Sequence, residues 1–162
     1  MYIRIIMKNP LNGISFKKTK VSVRIIYLIL LLNVISIAHV QYWNNEHKII
    51  AWDVKSYYSY LPAAFIHKDL TLKFVDEDKN KYQSLYWPNK TENNRNVIKM
   101  SMGLSYLYMP FFFLGHGGAH LLGYEADGYS FPYRFALILS SFLFLILGLL
   151  YTRKVLLFFY NE

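Results

Sequence analysis

The carboxylate of Asp53 sits among aromatics in the stretch Ile49 to Leu70, IIAWDVKSYYSYLPAAFIHKDL. A carboxylate at a partly desolvated interface can take a proton from a hydroxyl, which is the work of a general base. The same position also suits a solvated acid at the start of a helix, where it complements the dipole and needs no chemistry. Further groups that could act are His47, His67, Asp69, His116, His120, Glu125 and Asp127. His116 and His120 are four apart, a spacing that sets two imidazoles on one helical face and makes them candidates to hold a divalent metal ion. The glutamate of a zinc-peptidase HExxH is absent, because Gly117 follows His116, and Gly117 and Gly118 weaken the helix that the spacing requires. The fragment HGG at 116–118 resembles part of a lipase oxyanion loop, but no GxSxG nucleophile elbow accompanies it, so that reading fails. Neither GxxxxGK[ST] nor GxGxxG occurs, so a soluble nucleotide fold has no support. Cysteine is absent, which excludes disulfides, thiol catalysis and cysteine-ligated metal sites.

These groups must be positioned by a strongly apolar chain. Of 162 residues, 54% are hydrophobic and 19% aromatic, gathered in long uncharged runs near both ends, the pattern of a membrane protein. The net charge of +8 does not indicate nucleic-acid binding. Arg4, Lys8, Lys17, Lys18, Lys20 and Arg24 all precede the first apolar run with no acid among them, as on the cytoplasmic flank of an anchor. Residues 1–21 therefore read as a basic cytoplasmic tail and 22–41 as a first transmembrane helix. A cleaved signal peptide ending near Ser36-Ile37-Ala38 is the competing reading, and Tyr42-Trp43 favours a retained helix with an interfacial belt.

Residues 42–133 then form a large extracytoplasmic loop. Val54, Tyr57, Tyr58, Leu61 and Phe65 predict surface helices over about 53–68, lying along a bilayer, with a break or new start at Pro62. Val75 to Arg95, rich in Asp, Glu, Asn and Lys, reads as irregular loop, and Glu125 to Ser130 as a turn with Gly128 supplying an unusual backbone angle. The apolar segment at about 101–122 contains Pro110, with Gly115, Gly117, Gly118 and two histidines in its second half, which predicts broken, re-entrant backbone rather than a plain span. If it crossed, Arg153-Lys154 would end outside; if it dips and returns, that pair ends inside. The second transmembrane helix is thus 134–152. Arg134 at its start either snorkels or holds a lipid phosphate. Residues 153–162 form a cytoplasmic end, still apolar where the chain stops, as though further spans follow.

The order of these parts resembles the start of the multi-spanning membrane glycosyltransferases with the C-type (GT-C) fold, such as protein O-mannosyltransferases and bacterial lipid A sugar transferases. The resemblance rests on Asp53 in AWDVKSYYSYLPAAF, the aromatic, proline-containing helix Leu104 to Leu122, the loop Gly123 to Pro132, and Arg134 opening the second span. It implies an all-α integral membrane protein whose two transmembrane helices flank a large outer loop, an incomplete bundle of that fold. It implies that Asp53 is the catalytic base, that Tyr57, Tyr58 and Arg134 contact substrate, and that a sugar passes with inversion from a polyprenyl-phosphate donor to an acceptor hydroxyl on the outer face. Many relatives carry a second acid after the aspartate, where this chain has Val54, and the family needs about a dozen spans. The expected function is therefore an N-terminal fragment of such an enzyme in the plasma (inner) membrane of a cell envelope, inactive alone and partnered by lipids and further membrane helices or a subunit. The alternative is a non-enzymatic membrane protein that binds a lipid or partner subunit through its aromatic outer loop.

Overall fold

The computed structural model describes residues 20–44 and 48–160. The expected tail over 1–19 and His47 lie outside them. The described chain is mostly helical: α1 Lys20–Val40, a short 3-10 helix Tyr42–Asn44, α2 Trp52–Tyr58, α3 Tyr60–Phe65, α4 Lys73–Glu77, α5 Lys79–Tyr86, α6 Gly103–Leu122 and α7 Phe131–Phe159. Between α5 and α6, β1 (Asn89–Lys90) and β2 (Asn96–Val97) pair antiparallel, with Asn89 opposite Val97.

Two helical stretches, Val21–Asn44 and Phe131–Phe159, are long and apolar enough to cross a membrane. No residue of the apolar window in the first is buried by protein, and Ile25, Leu28, Leu31, Leu32 and Ile35 are all more than half exposed. Such a surface requires an apolar solvent or other helices. The helix α7 is longer than the expected 134–152, continuing through Arg153-Lys154 to Phe159 because nothing after Gly148 breaks it. The expected tail from residue 153 is therefore helical over its first seven positions. Arg153 Nε donates to Ser22 Oγ at 2.7 Å, so the end of α7 lies beside the start of α1.

The backbone over 101–122 is not broken: α6 is one continuous helix through Pro110 and Gly115, Gly117 and Gly118. Proline removes one backbone donor, and the carbonyl it would have met, that of Tyr106, lies on an exposed part of the helix where solvent or headgroups can satisfy it. Ser105, Phe112, Gly115 and Ala119 are buried at helical spacing, and this stripe packs on the first turns of α7. Gly123, at φ +73°, ends α6, with the Tyr124 N–H donating to the Ala119 carbonyl.

The loop 42–133 is likewise more ordered than expected. Asp69 accepts from Thr71 N and Lys73 N, each at 2.8 Å, and so holds the turn that leads into α4; Asp78 accepts from Lys81 N at 3.1 Å and caps α5. Asp76 pairs with Lys90 at 3.1 Å and accepts from Asn96 Nδ2 at 2.8 Å, tying the hairpin to α4. Charged residues that resemble loop composition are thus caps and ties. Much of the apolar face of α2 and α3 is turned into protein. Tyr58, Leu61 and Ala63 are fully buried in a protein core with Phe74, Val75, Tyr86, Phe112 and Tyr129.

Helix α6 meets α7 closely at Gly115, where an added Cβ would stand 2.8 Å from Tyr133 Cα; at Gly117 it would meet nothing within 4 Å. Gly115→Ala is expected to destabilise the chain by about 1–3 kcal/mol through overpacking, whereas Gly117→Ala stabilises it by about 0.5–1 kcal/mol. Thermal unfolding of the two variants in micelles checks the contrast, and equal midpoints would contradict the packing.

Candidate functional site

Three groups of side chains can be judged from this frame. The first surrounds Asp53. It occupies the first turn of α2, exposed, and makes no hydrogen bond or ion pair among the described residues. Tyr57 lies four residues on, on the same face, and is half-buried; its carbonyl accepts from Ser105 Oγ of α6. Lys55 Nζ donates to the Ser84 carbonyl at 2.6 Å, so α2 is also tied to α5. The turn that carries Asp53 is therefore held firmly while its carboxylate faces outward.

Tyr58 turns the other way. It is fully buried, and its hydroxyl donates to the Gly128 carbonyl at 2.6 Å. The structure thus places Tyr58, expected to contact substrate, inside the protein, where it packs the core. Arg134 is buried at 6% exposure, so it does not snorkel; a snorkelling side chain keeps its charged head in water.

The second group was hidden from sequence reasoning. Ile66 and His67 after α3, Lys81, Tyr82 and Tyr86 of α5, and the Glu125 to Tyr129 turn enclose a cavity of about 320 Å³. His67 stacks on Phe74 with ring centres 3.9 Å apart and meets Tyr82 and Tyr86 edge-on at 5.1 and 5.7 Å. Burial, and then the Lys81 charge, lower the His67 pKa, against a smaller opposite pull from Asp69. Burial, and then the neighbouring Tyr129, push the Tyr86 phenol far above its usual range, and burial raises Tyr129 as well. The cavity wall is therefore neutral in its aromatic groups, with Lys81, Glu125 and Asp127 carrying its charge. Asp127 also holds the turn, accepting from Tyr129 N and Ser130 N at 2.8 Å each. The spacing of Lys81, Tyr82 and Tyr86 gives one local side of this wall, whereas Ile66 and His67 lie about 15 to 20 positions before it and Glu125 to Tyr129 about 40 to 47 after it.

The third group is the histidine pair. Because α6 is continuous, His116 and His120 do converge, with their Nε2 atoms 3.3 Å apart. Tyr133 Oη hydrogen-bonds His116 Nδ1 from α7. Burial, and then His120, lower the His116 pKa. Among the described residues no third histidine or carboxylate joins the pair.

No protein family, characterised protein or solved structure matches this chain.

Two expectations follow. Tyr58→Phe leaves the buried Gly128 carbonyl without its donor and should lower stability by about 1–2 kcal/mol, read from chemical denaturation. His67 and His116 both bind protons less readily folded than unfolded. Their contribution to stability is then full above the ordinary histidine pKa of about 6.5 and is lost as pH falls below it. The melting temperature should drop between pH 7 and pH 5, and His67→Phe, which keeps the stacking but not the titration, should drop less. An identical fall in both proteins would refute the assignment to His67.

Proposed function

We propose that this chain is part of a membrane glycosyltransferase that moves a sugar from a polyprenyl-phosphate donor to an acceptor hydroxyl, with Asp53 as general base. The observation that carries this reading is the disposition of Asp53: a carboxylate without a partner among the described residues, shortly after the first apolar helix, on a turn held by Lys55 and Tyr57. The other described aspartates each have a structural duty: Asp78 caps a helix, Asp69 and Asp127 hold turns, and Asp76 ties the hairpin. A base must have its lone pairs free and its geometry fixed, and Asp53 meets both conditions. Tyr57, on the same face, flanks an approaching acceptor.

In this reading α1 and α7 cross the plasma membrane with the basic N-terminal flank inside. The folded region between them lies on the outer face. Lipids or further membrane helices cover the apolar surfaces of α1 and α7. A groove of about 300 Å³ between them, lined by Ile25, Ile29, Leu149 and Leu156 with Arg153 at its end, suits an acyl chain. The donor cavity is completed by additional helices.

The aromatic cavity beside His67 favours a second reading, in which the outer region binds a small polar molecule or a partner without chemistry. It has the mixed aromatic and polar lining of a ligand site, at the small end of the usual range. Sugar transfer from radiolabelled polyprenyl-phosphate donors, measured in membranes of cells carrying the protein, separates the two. Asp53→Asn should cut transfer by about 100-fold or more with the amount of chain unchanged. Undiminished transfer would remove the enzymatic reading and leave binding.

A further inference from the structure

The histidine pair on α6 plays no part in the proposed transfer, yet its geometry is that of a chelate. We infer that His116 and His120 bind a divalent cation of the zinc class through their two Nε2 atoms, with Tyr133 orienting the first ring and two coordination positions open.

The distance between the two nitrogens decides which ions fit. Zinc–imidazole bonds of about 2.0–2.1 Å at a tetrahedral angle separate the two nitrogens by about 3.3–3.4 Å, and the observed separation is 3.3 Å. The rings stand nearly perpendicular, at 88°, with centres 4.7 Å apart, so both lone pairs can converge without a ring clash. Calcium and magnesium are excluded by chemistry, since both prefer oxygen ligands.

The surroundings hold this geometry in place. His116 is fixed from two sides: Tyr133 Oη bonds its Nδ1, and the Phe112 ring lies nearly parallel at 6.0 Å. A ligating histidine commonly has its second nitrogen bonded in this way, which sets the ring orientation and the tautomer. With metal bound, each ring carries its proton on Nδ1, and that of His116 donates to the tyrosine oxygen. Without metal, one Nε2–H donates to the other Nε2 and keeps the pair together. His120 is exposed, so water or an incoming ligand atom can take the remaining positions. Such an open site is the arrangement of a metal that meets a substrate or a second protein rather than one that only staples the fold.

The test is Zn²⁺ titration of the full chain, purified in micelles without a polyhistidine tag, by competition with a chromophoric chelator. The wild type should bind one Zn²⁺ per chain. His120→Ala should weaken binding at least tenfold while leaving the melting temperature nearly unchanged, because the side chain is exposed. Tyr133→Phe should weaken it about tenfold, the usual cost of removing an outer partner of a ligand, without changing the stoichiometry. Bound Co²⁺ should give the intense visible bands of a tetrahedral site, and His120→Ala should abolish them. His67→Ala, outside the site, should bind as the wild type does. Equal affinity in wild type and His120→Ala, an equal loss in His67→Ala, or no saturable binding would each overturn the assignment.

Discussion

The close contact between α6 and α7 at Gly115 underlies much of the arrangement. A side chain there would collide with the backbone of Tyr133, so the two helices can touch only because the position has no Cβ. That approach presents the Tyr133 ring to His116 and Phe112, and it sets the direction from which the 123–130 turn leaves α6. The turn then repeats the device on a smaller scale. Gly128, at φ +88°, lies so near Pro62 that a Cβ would come within 2.7 Å of it, and its carbonyl receives the Tyr58 hydroxyl. Two glycines thus bring α2, α3, α6 and α7 together.

What fills the space between these helices is mostly aromatic. Phe112 meets Phe65, Tyr58 and Tyr133; Tyr58 meets Tyr129, Tyr129 meets Tyr86, and Tyr86 meets Phe74 and His67. Most of these contacts are edge-on or tilted, the geometry that the ring quadrupole favours. Each such pair adds about 0.5–1.5 kcal/mol beyond the area it buries. Short helices such as α4 and α5 could not stand alone in water, and this chain of rings gives them something to pack on. One consequence is functional: the rings that close the core also form the wall of the cavity beside His67.

The charged residues divide by duty. Asp69, Asp76, Asp78 and Asp127 serve the backbone or a neighbouring side chain, which is why a stretch with the composition of a loop is in fact ordered. Asp53 serves nothing in the described chain and is left to solvent. Among the described aspartates Asp53 alone has no such duty, while Glu77, Glu92 and Glu125 also make no side-chain bond; the proposal for Asp53 rests on the contrast with the other aspartates and on its place after the first apolar helix.

Composition and periodicity were sufficient to identify two apolar helices with a polar region between them, the break near Pro62 and the turn at Gly128. These are local properties: hydropathy over some twenty residues, a missing backbone donor, a positive φ. The i, i+4 spacing also named His116 and His120, but whether the glycines between them would break the helix was not local. The tertiary structure decided it, because Gly115 packs on α7 and the packing holds a helix that propensity alone would have weakened. The same holds for Tyr58 and Arg134, which look surface-facing from their neighbours in sequence and are buried by partners far along the chain. The cavity at His67 was the least legible feature, since its walls come from three separate segments and only their packing creates it. Amphipathic spacing shows that a face will be buried, but not whether lipid or protein will cover it. That depends on which distant segment arrives there first with a matching surface.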